Sequence, residues 1–435
     1  MGVIDSSGSS IQKFRHPENF MWSPKYGALI QDAPIAKEYP ELNRAGKQLP
    51  EVFGTEAVYP LIESLPKPNL VLLDTLSVAQ QYRVAKRCAF LASAWLKNHS
   101  HGKPLRPDLN YIPSNLARLF VAVCEKLGRK HPILSYDLYC KANWELIDPN
   151  GPFEIKNLRL EQCFVNPHII PDESGFILIH TVIDKRGKYI PEAAAICLGA
   201  IYEKYHFLAA STLRTIAASL SLMYAELIKM PNWCDPNMYY LEVRPQIQLF
   251  QNIRFEGVEN PRYQEPITLR GETGAQSTLL ELIRVFLGIP ETTSPLTYHR
   301  REMREYMVAK QIEFIDLIAE MPSVREYVIQ HWQEYPGLRD AYNACVHGLY
   351  LFLREHLKDA IGYIEDKETG EKKARGTGGT PFRPYLQLHL WEVRGGRIYA
   401  NAEEELHDEA AMEHLRTTDP IFSGFDPEAI KKSLQ

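Results

Sequence analysis

The 435-residue chain reads as an all-α protein. Three observations predict this class: apolar residues recur at helical spacing over long stretches, helix-start residues stand in front of several of them, and strand-type alternation is scarce. Hydrophobic residues at 45% and charged residues at 24% are the proportions of a globular chain. A single core stops growing at about 250–300 residues, so two domains are expected.

Taken in order, residues 1–49 are rich in Pro, Ser, Gly and isolated charges, and read as an extended arm. A small helical domain is expected over 50–130. There Val84, Cys88, Leu91, Ala92 and Trp95 share one stripe of a helix running from Val78 to Asn98, and Pro113 to Leu127 reads as a second helix. A larger helical domain is expected over 131–395, with helical signals at Ile190–Lys229, Gln276–Leu287, Arg301–Glu320 and Gly337–Ile364. Pro191-Glu192 opens one of these with a first-turn proline and acid, and Pro336-Gly337 precedes another. Residues 365–380, charged and then glycine-rich, carry nothing apolar to bury and read as a mobile lid loop. Residues 396–435 are a polar, acidic tail, read as an exposed helix.

A net charge of −5 provides no basic field for a phosphate backbone, so nucleic acid is not expected as a partner. The seven cysteines are scattered, with no C-x-x-C pair, which suits reduced thiols in a cytoplasmic protein and argues against a zinc cage. No uncharged apolar run reaches the roughly 18 residues of a membrane span, and no membrane association is expected.

One histidine stands apart. Tyr342, Cys345, Leu349, Phe352, His356 and Ala360 follow each other in steps of three and four, so His356 projects from the buried stripe of its helix. His347, nine residues earlier, lies on the opposite face. By itself an inward histidine is more often a hydrogen-bonded core residue than a ligand. As a ligand, its neutral imidazole would suit the axial position of an oxygen-binding haem.

Four collinear segments, PILSYDLYCKANW (Pro132 to Trp144), PSVREYV (Pro322 to Val328), GLRDAYNACV (Gly337 to Val346) and ARGTGGT (Ala374 to Thr380), resemble the indoleamine 2,3-dioxygenase family. Weaker similarity extends the resemblance over about Glu51 to Leu390. It implies an all-α, two-domain haem protein whose small domain covers the distal side of the haem-binding domain. It also implies a dioxygenase that inserts both atoms of O2 across the indole C2=C3 bond of L-tryptophan or a related indole. The expected partners are that small molecule, O2 and an electron donor that keeps the iron of haem b ferrous; oligomeric state is left open.

The resemblance also assigns residues. His356 matches the proximal iron ligand, and Tyr136, Gly271, Gly274 and Ala275 match positions beside the haem, the small ones leaving room for the ring. Arg244 matches the arginine that holds the substrate carboxylate, a role suited to a planar bidentate donor. Phe176 and Tyr239 match pocket aromatics, and Thr377 and Gly378 the loop that closes over substrate.

Three departures stand out. His180 occupies a position usually held by a small hydroxyl residue and enters the list of catalytic candidates with Arg244, as hydrogen-bonding group or acid and base. Tyr239 replaces a phenylalanine, adding a phenol. Arg284 stands for an acid and Leu353 for an arginine, so one charge pair of the family is absent. The alternatives are a haem monooxygenase or peroxygenase acting on another indole or aromatic amino acid, and a non-catalytic haem sensor.

Overall fold

The structure, a computed structural model, describes residues 15–31, 34, 36–367, 375–422 and 424–426. Residues 1–14 of the expected arm, 368–374 of the expected lid and 427–435 of the tail lie outside the described residues. The chain is mainly helical: α1 (Pro40–Val52), α2 (Val58–Glu63), α3 (Val78–Lys97), α4 (Ser114–Lys126), α5 (Pro171–Arg186), α6 (Ile190–Tyr202), α7 (His206–Leu227), α8 (Thr278–Leu287), α9 (Pro295–Arg304), α10 (Ala309–Ala319), α11 (Val324–His331), α12 (Pro336–Tyr363), α13 (Phe382–Arg394) and α14 (Ala402–Thr418).

Local chemistry sets most of these boundaries. Ser77 and Gln80 form a reciprocal capping box at the start of α3. Ser277 accepts from Leu280 N to start α8, and Gly288 in the left-handed region ends it. The stretch 190–229 is two helices, because the chain turns between α6 and α7 with Lys204 at φ 57°. The stretch 301–320 likewise divides between α9 and α10.

The stretch 1–49 differs from the expected extended arm in two places. Pro40–Val52 is helical, and Trp22, Ala28, Leu29 and Ile30 are buried. The reason is long-range: the Gln311 amide on α10 donates to the carbonyls of Met21 and Ala28, at 2.9 and 3.1 Å, and Trp22 packs on Phe314 with ring centroids 6.0 Å apart.

One continuous cluster of buried apolar side chains runs from Trp22 through Phe90 on α3 to Phe422. Along α12, 28 residues long, α7 packs on one side and α13 on another, and α7 also packs against α5 and α6. Helix α7, with the turn after it to Asn232, is long and apolar enough to cross a bilayer, with a mean hydropathy of 1.2, and 44% of that stretch is buried inside the fold. On α3 the buried cations Arg83, Lys86 and Arg87 converge on Glu161, itself 2% exposed, at 2.9, 2.6 and 2.6 Å. Such a group holds only while every partner is present.

The strands are short. Tyr111–Ile112 (β1), Phe250–Phe255 (β2) and Ile267–Leu269 (β3) form one sheet in that order, β1 parallel and β3 antiparallel to β2, with Tyr111 opposite Arg254 and Ile253 opposite Ile267. The chain leaving β3 enters the loop 270–277, which the sheet thereby fixes at the edge of the main cavity. The tail folds back: α14 buries only Met412, while Ile421 and Phe422 are buried and Gln387 on α13 donates to the Ile421 carbonyl at 2.7 Å.

Candidate active site

Helix α12 presents Tyr342, Cys345, Leu349 and Phe352 to the core, and the same stripe carries His356 to the wall of a cavity between α5, α7, α12 and α13. His347 is exposed on the far side. Neither ring nitrogen of His356 has a hydrogen-bond partner among the described residues. Burial, reinforced by the nearby His180, pushes its pKa down to about 4. The imidazole is therefore neutral at pH 7, with a lone pair open to a ligand. Gly274 faces it: a Cβ there would stand 3.6 Å from His356 Nε2.

The opposite wall is α5, whose Phe176, His180, Ile183 and Asp184 lie on one face. His180 Nδ1 is 2.7 Å from the Phe176 carbonyl oxygen. A carbonyl only accepts, so Nδ1 carries the proton and Nε2 is left as an acceptor. Burial lowers the His180 pKa, keeping the ring in this neutral form. Phe176 packs against His180 and Tyr239, with centroids 4.7 and 4.8 Å away, and Tyr239 against Tyr363 at 5.5 Å. Helix α5 comes this close to the segment after α7 because Gly175 has no side chain; a Cβ would lie 1.8 Å from the Trp233 carbonyl oxygen.

Two loops close the cavity. In 270–277, the Gln276 amide spans from Tyr136 N to the Gly271 carbonyl, at 3.0 and 2.9 Å. In 375–380, Thr377 Oγ1 donates to the Glu272 carbonyl, Leu249 N donates to the Thr377 carbonyl at 3.1 Å, and Arg270 donates to the Gly378 carbonyl at 3.0 Å. The described part of the expected lid is thus pinned over the cavity from several directions.

The cavity brings together His356, His180, Phe176, Tyr239, Tyr136, Gly274, Ala275, Thr377 and Gly378. It does not include Gly271 or Arg244 in its lining. Gly271 packs against main chain, since a Cβ would meet the Ile247 carbonyl oxygen at 2.2 Å, so its smallness admits the neighbouring backbone. Arg244 is buried, donates to the Arg375 carbonyl and lies over the Tyr240 ring at 5.5 Å. Its guanidinium holds the loop from behind.

Sequence reasoning did not find the acids on the lining, Glu281 and a more strongly shifted three: Asp184, Glu272 and Asp359. Burial lifts them to about 6, 8 and 7, with Lys141 partly countering the rise at Asp184. Glu272 had a visible signal, a charge among the small residues of RGETGA. The missing charge pair is replaced: Arg284 Nη2 meets Glu392 of α13 at 2.6 Å, Arg300 lies 3.4 Å from the same carboxylate, and Leu353 is buried. Arg284 lines the cavity with Nε and Nη1 buried and without hydrogen-bond partners.

The donor set fits a haem. One uncharged imidazole with a free lone pair suits the iron, a glycine leaves the space beside it open, and partnerless guanidinium nitrogens suit a haem carboxylate. Residues 16–390 match the family described as indoleamine 2,3-dioxygenase. The chain is similar to indoleamine 2,3-dioxygenase 2 of Homo sapiens, 26% identical over 396 residues that span 85% of this chain and 92% of the relative. It is similar to indoleamine 2,3-dioxygenase 1 of Rattus norvegicus, 28% identical over 63% of this chain and 70% of the relative. It is also similar to a 6-hydroxytryptophan 2,3-dioxygenase of Fusarium equiseti, 24% identical over 50% of this chain and 59% of the relative.

Proposed function

The chain belongs to the indoleamine 2,3-dioxygenase family, and from that premise we propose that its cavity holds haem b on His356 and oxidises L-tryptophan or a related indole. When bound, the haem supplies the activation of O2 that places both oxygen atoms across the indole C2=C3 bond. His356 on α12 would hold the iron, and Arg284 a haem carboxylate.

The remaining work falls to the chain's own side chains. Phe176 and Tyr239, packed on each other, offer an aromatic wall against which a flat ring can lie on the α5 side. His180 Nε2, left as an acceptor by the bond from Nδ1 to Phe176, receives the indole N–H and orients it. Thr377 and Arg270 hold the 375–380 loop down, and Arg244 steadies it through Arg375, so that water is kept from the reaction. Arg244 fits a substrate carboxylate only if the loop first releases it. The seven cysteines, unpaired among the described residues, support a reducing, cytoplasmic setting in which an external electron donor keeps the iron ferrous. The small domain at 50–130 and the large one at 131–395 remain our proposed division.

The observation that carries this reading is the pairing of two half-buried, uncharged histidines, His356 on α12 and His180 on α5, in the lining of one cavity. Mass analysis of the product formed from L-tryptophan under isotopically labelled O2 tests it. Gain of both labelled atoms is expected. Gain of one atom, or dependence on peroxide, would indicate a monooxygenase or peroxygenase instead, and stable O2 binding without turnover a sensor.

A further inference from the structure

Glu272 presents an unusual problem of charge. It is 4% exposed and lines the cavity. Its main chain is fixed on both sides, the N–H donating to the Ile247 carbonyl at 3.0 Å and the carbonyl accepting from Thr377. No hydrogen bond or ion pair reaches its carboxyl group from the described residues. The groups that feel its charge are themselves uncharged at neutral pH: Tyr136, Tyr139, Cys140 and Tyr239. Burial alone acts on its titration, with no cation to oppose it.

An isolated buried carboxyl is costly to keep, and a fold retains one where something else supplies the partner. The surrounding geometry limits what that partner is. The carboxyl shares the cavity with the Phe176 and Tyr239 rings, so a ligand seated on those rings can place a short chain beside it. The cavity's arginines do not fill the role: no ion pair joins Arg284 or Arg300 to Glu272, and their Nη atoms pair instead with Glu392 and Glu291. Arg244, the expected anion holder, is outside the lining.

We propose that Glu272 is a cation subsite of the substrate cavity, selecting aromatic molecules that carry an ammonium group on a short side chain. This rests on the reading of the cavity as an indole site and names the feature by which it chooses among indoles. Because the Glu272 carbonyl also holds Thr377, the cation subsite and the closing loop share one residue.

The test uses the haem-reconstituted full chain under anaerobic conditions at pH 9, where the Glu272 carboxyl, raised to about 8 by burial, is ionised. Dissociation constants are read from the change in the haem absorption band, and by calorimetry. Four probes separate ring from charge: tryptamine, neutral 3-ethylindole, anionic indole-3-propionate, and phenethylamine, which keeps the ammonium without the indole. A charged hydrogen-bonded contact predicts that tryptamine binds about 10- to 100-fold tighter than 3-ethylindole, with indole-3-propionate weakest. In Glu272→Gln the tryptamine advantage is lost while 3-ethylindole stays within about twofold, and unfolding of the variant is unchanged or shifted to higher temperature because a neutral amide replaces a buried acid.

Equal binding of tryptamine and 3-ethylindole by the parent chain overturns the proposal and leaves the indole reading standing. So does a Glu272→Gln variant that keeps the tryptamine advantage or weakens all probes alike. If phenethylamine binds in a Glu272-dependent way while no indole binds, the cation subsite stands and the indole reading falls.

Discussion

Gly175→Ala tests whether the tight seating of α5 builds the substrate side of the cavity. The added Cβ would lie 1.8 Å from the Trp233 carbonyl oxygen and 2.6 Å from its carbon. Both are backbone atoms, so no rotamer change relieves the clash. A carbon-to-oxygen contact settles near 3.3 Å or more, and so α5 must retreat by about 1.5 Å. Phe176 and His180 move with it. Helix propensity alone predicts that alanine stabilises this position by roughly 1 kcal/mol. Overpacking predicts the opposite sign, a loss of about 1–3 kcal/mol, and a displacement above 1 Å at a reacting group costs on the order of 100-fold in turnover. Urea unfolding followed by circular dichroism reads the first, and kcat/KM for L-tryptophan the second, while haem content stays at the parent level because His356 sits on α12. A variant as stable as the parent, with turnover within twofold, would refute the reasoning.

Glu161→Gln leaves Arg83, Lys86 and Arg87 without their shared anion, and a loss of about 3–5 kcal/mol is expected from the urea midpoint, partly recovered when Lys86→Met is added. His131 donates from Nε2 to Glu305 and accepts from Arg262 at Nδ1, both at 3.1 Å, so the fold holds it neutral, its pKa lowered to about 4 mainly by burial. The unfolded chain binds the proton more readily, so this contribution is present above pH 6.5 and lost as pH falls towards 4, amounting to up to about 3 kcal/mol. In His131→Gln the fall in unfolding free energy between pH 7 and pH 4.5 is correspondingly smaller. His180→Ala removes the N–H acceptor and lowers kcat/KM for L-tryptophan by about 100-fold or more, while the haem band persists; unchanged turnover would remove His180 from the mechanism.

Helix α12 was legible because one face is buried and the other is wet, which is what a 3.6-residue period records. Helix α3 was legible although it is buried all round from Gln81 to Trp95, because the face opposite its apolar stripe carries Arg83, Lys86 and Arg87, charges that the fold pairs with Glu161. Helix α5 carries half of the site yet was not read as a helix, since Ile177, Leu178, Ile179, Val182 and Ile183 are buried around most of its circumference and leave no polar stripe. Trp22 and its neighbours looked like an unstructured lead-in because what orders them, Gln311 and Phe314, is nearly three hundred residues away. The resemblance placed His356, His180, Phe176 and Tyr239 in one chain, and the fold brings them to one cavity. It did not foresee Arg244 behind the loop, which depends on the path of residues 375–380, nor the Arg284 pair with Glu392, 108 positions apart. Glu272 is visible as a charge among the small residues of RGETGA, but a carboxyl in a glycine-rich loop looks solvated until the loop is seen to be covered by another.

The central claim is that the His356 imidazole on α12 holds the haem. The most direct measurement is the absorption spectrum of the purified chain titrated with haemin, beside His356→Ala with and without added imidazole. A saturable Soret band at one haem per chain is expected for the parent, lost in the variant and restored by imidazole. An equally strong and unchanged band in His356→Ala would contradict it.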